Sequence, residues 1–554
     1  MNPAESSRHP AWKFWTNPIF RRYCRSRLRP RGLGIWVLIT VLFAGFIVSM
    51  ASSIGVRTHL DAEDAARGAI LPLLVLQGIV LFILGTAQVA GGMTAERDEG
   101  VIDYQRLIPM TPLAKVVGYL FGLPVREYVM FLTTLPFTAW AMWRGGISWQ
   151  VWLPLYGIVF TSTLTYHFTG LLTGTVVKNR RWAFLTSIGL VFALYTVVPQ
   201  MAKFGLVFFK YLSVTPVVQE SMPKLLPKTA GAALETLQQL VPTVKFFGLD
   251  FSEAVFTAFC QGGLVLVFSI MLCRKWRRHE SHLLGKLWAI GFFVWIQLLL
   301  LGNALPLIDS GSLFPSRAFN RMMRIIPDWQ PDPGEAVAMS GIFGLVTLLL
   351  IFLLATIITP SSDHQIRGWR RARKEGAKAL PLLSDAATGY WAVVLMALAG
   401  AGGWFWFTSG LVESRWFPGH EVPSHLFVAF AAVLLAAGLG FQAMLEAKGG
   451  RFVGLMVILV GVVPIMVGAV FGSLSNSMAA VAAWLIGMSP VSLPVYASMS
   501  LLSLSDLPVE VARAVPRAFK FWLFVAVIAA VHRSYLLWQA RRDMARTVLA
   551  DPVE

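Results

Sequence analysis

Runs of about twenty consecutive apolar residues recur from Gly34 to Trp538, separated by short polar or basic stretches. No other pattern constrains a fold as strongly. A helix of about 20 residues rises about 30 Å, the thickness of a membrane's hydrocarbon layer. In that layer only helices and closed barrels satisfy their own backbone polar groups. Candidate spans in the first half lie at about Gly34–Ile54, Ala69–Ala90, Pro124–Trp143, Val151–Val176, Ala183–Met201 and Phe251–Cys273. Those of the second half lie at about Leu287–Leu307, Ala336–Thr359, Ala387–Phe407, His425–Leu445, Phe452–Phe471 and Phe519–Trp538. The expected fold is an all-α polytopic membrane protein of about 12 transmembrane helices. Only 14% of the 554 residues are charged, whereas a soluble domain carries about 25%. The first run lacks the short core and small-residue cleavage site of a removed signal peptide, so it reads as a span.

The net charge of +18 is concentrated at the ends of the apolar runs. That placement fits cytoplasmic membrane flanks rather than a nucleic-acid groove, so membrane lipid is the expected surface partner and nucleic acid is not. If the basic N-terminus is inside, the even-numbered spans also end inside. The charged segment Met93–Leu120 and the basic stretches Lys178–Arg181 and Arg274–Arg278 follow there. The expectation is a multi-pass protein of the cell's inner (cytoplasmic) membrane, with both termini in the cytoplasm. Residues 1–33 form a basic entry segment. Ile19, Phe20, Tyr23 and Leu28 share one helical face there, as an interfacial helix would arrange them; a disordered basic tail is the alternative. Trp36, Trp143, Trp182, Trp391 and Trp538 sit at run ends, as interfacial aromatics do. Residues 202–250 are interrupted by prolines and hold an amphipathic piece, Ala230–Leu240. Ser473–Pro516, cut by Pro490 and Pro494, reads as a re-entrant or outward-facing hairpin. The basic stretch Arg317–Arg324 fits an outer loop badly, and reads as an interfacial helix or a shifted boundary.

Two echoes suggest internal duplication. Ser213-Val-Thr-Pro and Met488-Ser-Pro-Val precede the sixth and twelfth spans, and Arg274-Lys-Trp-Arg-Arg and Gln539-Ala-Arg-Arg end them. The expected organisation is the entry segment 1–33, a six-span half at 34–280 and a second at 281–554.

Catalytic signatures are missing from the sequence. There is no GxxxxGK[ST] phosphate loop, no HExxH and no GxSxG. The three cysteines, Cys24, Cys260 and Cys273, form no metal motif. His279 and His282 form a close pair in a charged flank, and a solvated flank is the plainer reading of both. His532 reads as another flank residue. His167 lies inside the fourth span among threonines, where an ionisable group is either a pathway residue or a neutral histidine bonded between helices. Arg126 and Glu127 follow Pro124. A proline at a helix start and a carboxylate in its first turn place this pair at the boundary of the third span; a transport-pathway pair is the other reading.

The remaining feature is Met93–Leu120, between the second and third spans. Glu96, Arg97, Asp98, Glu99, Asp103 and Arg106 form a patterned charged block, with a break at Thr111-Pro112. Glu96, Glu99, Asp103 and Arg106 are spaced to line one polar face, with Asp103 and Arg106 placed to pair. Val101, Ile102, Leu107 and Ile108 are expected on the membrane side. Thr111 is expected to cap the next helix and Pro112 to begin it. An ordinary charged loop is the plainer alternative.

This segment resembles one found in permease subunits of the ABC transporter type 2 export family, where E-R-E-x-G-T-L-E is followed by a leucine-rich stretch and T-P. The matching residues are Glu96, Arg97, Asp98, Gly100, Ile102, Asp103, Thr111 and Pro112. Val101 replaces the family's threonine, and Tyr119 follows Gly118 where a lysine is usual. Asn17-Pro18-Ile19 with Arg22, Arg25 and Arg29 also looks like the family's entry helix, with Tyr23 where an acidic residue is common. The resemblance covers about residues 1–280. In the second half Thr359-Pro360 opens the equivalent loop without the motif.

The resemblance implies a coupling helix docking into a cytosolic ABC ATPase subunit, with Glu96, Arg97, Gly100, Asp103, Arg106, Thr111 and Pro112 as coupling residues. It implies a permease, not an enzyme, that exports a substrate. Both halves would be fused in one chain, and ATP and Mg would be held by the partner rather than by any cofactor site here. An ion-driven secondary transporter and a membrane-embedded enzyme are the alternatives.

Overall fold

The computed structural model describes residues 9–177, 179–228, 244–278, 280–317, 320, 329–376, 380–448, 453–496 and 509–550. The chain is all-α and polytopic, 81% helical, and its one sheet among the described residues is a pair of three-residue strands, Val244–Phe246 and Leu249–Phe251. Nine described helices are long and apolar enough to cross a membrane, or ten if one bent pair counts as a single span. Contacts divide the chain into two compact units. One comprises 1–201, 209–244 and 250–279; the other comprises 202–208, 245–249 and 280–554.

In the first unit, α1 (Pro18–Arg27) is a short helix opened by Asn17 and Pro18. It leads through an elbow into α2 (Pro30–Arg57). Next come α3 (Ala62–Asp98), α4 (Val101–Leu107), α5 (Pro112–Gly122), α6 (Val125–Arg144), α7 (Trp149–Val176), α8 (Arg180–Phe204), α9 (Thr215–Leu225) and α10 (Glu253–Arg277). α5 and α6 are the bent pair, turning by 55° at Leu123-Pro124. α6 begins at Val125 with Pro124 at its N-cap, where the sequence placed the start of the third span. α7 is 28 residues long, but its middle carries Ser162, Thr163, Thr165, His167 and Thr169, all buried. That polar content keeps it out of the apolar set. It is stabilised instead by bonds between helices: Gln261 on α10 meets Ser162 at 2.9 Å, and Tyr156 donates to Gln77 on α3 at 2.8 Å. Gln77 in turn donates to Thr134 and Thr138 on α6. Such bonds replace the hydrophobic drive that lipid removes.

In the second unit the helices are α11 (Lys286–Asp309), α12 (Pro333–Ile358), α13 (Ser362–Lys374), α14 (Tyr390–Val412), α15 (His425–Lys448), α16 (Ile458–Leu474), α17 (Ala479–Gly487) and α18 (Val509–Ala550). Small residues let these backbones approach: a Cβ on Gly400 of α14 would lie 2.6 Å from Thr347 of α12. α17 has nine residues, a rise of about 14 Å, too short to cross. It folds back along α16, where Ser489 just beyond it donates to the Gly461 carbonyl at 2.6 Å. α16 and α17 are joined by a turn at 475–478, and Pro490 follows the end of α17. Residues 497–508 of that stretch, the amphipathic piece Ala230–Leu240, His279, and 318–319 and 321–324 of the basic stretch lie outside the described residues.

Candidate functional site

The charged segment after α3 is built on one buried carboxylate. Glu96, in the last turn of α3, is buried. It receives the Tyr23 hydroxyl of α1 at 2.7 Å and the Tyr119 hydroxyl of α5 at 3.2 Å, and it pairs with Arg22 of α1. Glu96 therefore joins three helices and does not line an outward polar face, as its spacing from Glu99 and Asp103 had suggested. Its partners lie 73 and 23 residues away, and spacing within a segment carries no sign of them. Packed against Glu96 and Tyr119, the Tyr23 hydroxyl is held well above its usual range, first by burial, and so stays a donor. Arg97 faces the other way, where its guanidinium donates to the carbonyls of Gly174 and Thr175 at 3.2 Å each. It thereby caps the C-terminal end of α7, where positive charge complements the helix dipole.

Gly100 then reverses the chain at φ +71°, with open space around it. The need for glycine is conformational, since an L side chain is strained there. α4 follows. Ile102 and Gln105 are buried, whereas the Asp103, Tyr104 and Leu107 side chains face outward. Leu107 is 82% exposed, which corrects its expected place on the membrane side. Five residues after Ile102, at about 100° each, it has turned to the opposite face. Asp103 and Arg106 form the expected ion pair. Lys115 donates to the Arg106 carbonyl at 3.1 Å, closing the end of α4.

Thr111 caps α5, its hydroxyl accepting from the Ala114 amide at 3.2 Å, and Pro112 takes the first helical position. The loop before it pairs with the N-terminal segment: His9 donates its amide to the Pro109 carbonyl, and the Thr111 amide donates to His9, each at 3.1 Å. Asn17 caps α1 with its Oδ1, and its Nδ2 donates to the Ala114 carbonyl at 2.7 Å. The apolar face of α1 thus packs on α5 rather than on lipid. A Cβ on Gly118 would lie 2.8 Å from Asn17 Oδ1, and one on Gly122 would lie 2.8 Å from Tyr23. The outcome is a clamped knob. Asp98, Glu99, Asp103, Tyr104 and Leu107 are exposed, and Ile102, Met110, Ile19 and Tyr23 share one apolar cluster beneath. Tyr104 and Leu107 are the residues that sequence reasoning missed. Their outward phase follows once Ile102 and Gln105 are known to face inward.

Arg126 and Glu127 lie in the first turn of α6. Glu127 is buried and pairs with Arg126 at 2.6 Å, and the Arg126 guanidinium lies 5.1 Å from the Trp36 ring. The structure does not bring them to His167. That residue sits deeper, its Nε2 3.0 Å from the Leu81 carbonyl and its Nδ1 2.9 Å from the Tyr128 hydroxyl. A carbonyl only accepts, so Nε2 carries a proton; in the neutral tautomer Nδ1 then accepts from the tyrosine hydroxyl. Leu81 belongs to a π turn, Ile79–Gly85, a rare local geometry often associated with functional sites. Beside it a cavity of about 840 Å³ opens between α6 and α7, walled by Tyr128, Phe131, Trp143, Tyr156 and Phe160.

Among the described residues no group of three His, Cys, Asp or Glu side chains could hold a metal ion. His282 is bonded to the Ile357 carbonyl at 2.6 Å and stacks on His364, and burial lowers its pKa. Comparison of the chain with protein-family models, with curated proteins and with solved structures gave no match.

Proposed function

We propose that this chain is the membrane-spanning permease of an ATP-driven ABC transporter, exporting a substrate across the cytoplasmic membrane while separate cytosolic ATPase subunits hold ATP and Mg. The observation that carries this reading is the clamped knob between α3 and α5. Its exposed acidic and apolar side chains stand on α4, a helix tied at both ends to membrane helices. A pull on such a knob passes into α3, α5 and α7 through Glu96, Lys115 and Arg97, as a coupling element requires. The N-terminal helix α1 joins the same clamp, and it holds the other stretch of family resemblance.

The test is co-purification of the full chain with a cytosolic ATPase, followed by the double variant Asp103→Lys, Leu107→Asp. Both side chains are exposed, so the variant is expected to fold. It should lose the ATPase at least about tenfold in affinity, as an interface residue pair worth more than about 1.4 kcal/mol would. Undiminished binding and transport in that variant would refute the proposal. An ion-driven secondary transporter is the second reading, favoured by buried Glu127 and His167. It requires transport by this chain alone in liposomes under an ion gradient without ATP.

A further inference from the structure

We infer that the elbow between α1 and α2 is a binding site for the headgroup of an anionic phospholipid. Two adjoining pockets lie there. One, of about 680 Å³, is lined by Arg27, Arg29, Arg31, Trp36 and Arg126. The other, of about 450 Å³, is lined by Arg21, Arg22, Arg25 and Arg29. Several of these cations are already engaged, Arg22 by Glu96, Arg126 by Glu127 and Arg27 by Gln88 at 2.6 Å. Arg21, Arg25, Arg29 and Arg31 form no ion pair among the described residues, and all four are exposed. Burial lowers the pKa of Arg27, with neighbouring Arg126 and Arg180 adding to that effect against Glu127 and Tyr23. A concave site with this excess of fixed positive charge favours an anion. Guanidinium forks match phosphate oxygens in pairs.

The source of the phosphate is argued from what lies next to it. α2 leaves the pocket at Pro30 and runs into the membrane with Ile35, Leu38, Ile39, Leu42, Phe43 and Phe46 exposed. That face is where the acyl chains of a lipid held by its headgroup would lie. Trp36, 41% exposed and stacked under Arg126, sits at the boundary between the two regions, the level at which tryptophan anchors in headgroups. Basic pockets at the ends of membrane helices recognise anionic headgroups by this combination.

The experiment uses the purified full chain in neutral detergent, probed by native mass spectrometry with phosphatidylglycerol, with phosphatidylcholine, and with inorganic phosphate as competitor. Phosphatidylglycerol should be retained in preference to phosphatidylcholine. Arg29→Gln with Arg31→Gln should weaken it about 25-fold, or about fivefold for each arginine at a membrane surface. Arg29→Lys with Arg31→Lys should keep more of the affinity than the Gln pair while losing the bidentate share, which separates lost charge from a misfolded elbow. Equal retention of both lipids, or unchanged affinity in the Gln pair, would overturn the inference. So would complete displacement by millimolar inorganic phosphate, which would mark a site for free phosphate.

Discussion

Glu96 receives two tyrosine hydroxyls and one guanidinium at the end of a membrane helix. Hydrogen bonds to a charged group contribute about 1.5–3 kcal/mol each. The Arg22 side chain is 42% exposed, and solvent screening reduces its share. Glu96→Gln is therefore expected to cost about 1–3 kcal/mol in all, read as a lowered melting temperature of the full chain in detergent. Asp103→Asn should stay within about 0.5 kcal/mol, because its side chain is 78% exposed. Equal melting of the two variants would remove the hub role of Glu96. Tyr128→Phe should cost about 1–2 kcal/mol, since it leaves His167 Nδ1 buried without its donor; unchanged melting would count against that bond. The sequence identified Glu96 and Asp103 as one charged block, and the Asp103–Arg106 pair was legible because three residues separate its members. The inward turn of Glu96 was not, because its tyrosines arrive from other helices. Leu107 misled for the complementary reason: an apolar side chain on a short helix reads as buried until the helix phase is known.

Elements show the same division between local and distant causes. Thr111 and Pro112 were readable because a cap involves residues within one turn. Gly118 and Gly122 were readable only as glycines. Their use is to let α1 lie against α5, and they sit four residues apart on one face. A Cβ at Gly122 would meet Tyr23 Cδ2 at 2.8 Å, whereas one at Gly157 of α7 has nothing within 4 Å. Gly122→Ala is thus expected to destabilise by about 1–3 kcal/mol through overpacking. Gly157→Ala should be neutral or stabilise by up to about 1 kcal/mol through helix propensity. Thermal melting of the two variants decides it, and a stabilised Gly122→Ala would contradict the close packing. In the second unit α13 is tethered by Arg367 and Arg371 to Glu280. Hydrogen bonds from Arg371, followed by its charge, hold the Glu280 carboxyl below the usual range. A lowered folded-state pKa means that the tether is complete above the ordinary glutamate value, about 4.3, and fades as pH falls through the lowered one. Amide exchange in α13, normalised for intrinsic rate, should rise over that acid window, and Glu280→Gln should flatten the change.

At the scale of the whole molecule, each of the twelve apolar runs overlaps a described helix, and nine of the described helices, or ten with the bent pair, are long and apolar enough to cross. What hydropathy could not mark was the path of the chain between α4 and α6. α5 and α6 are bent by 55°, a geometry shared by a broken span and by a re-entrant loop that returns to its own side. Length favours the first. The 20 residues of α6 rise about 30 Å, a full hydrocarbon thickness, although α6 is apolar enough for a span only together with α5. α5, with eleven residues or about 17 Å, is not long enough, and it is fastened to α1 and α4 near the boundary. We therefore expect one crossing between Leu107 and Gly146, which would put the exposed knob and the α6–α7 turn on opposite sides. With Cys24, Cys260 and Cys273 replaced by serine, Glu99→Cys should react with a membrane-impermeant maleimide from one side of the membrane only. Trp143→Cys, 78% exposed as tryptophan, should react only from the other. The proposed coupling role adds a sign: Glu99→Cys must react from the cytoplasmic side, in inverted vesicles and not in whole cells. Reaction of both positions from one side would make α5–α6 a re-entrant loop. Reaction of Glu99→Cys from outside would leave the span intact and remove the ATPase from the knob.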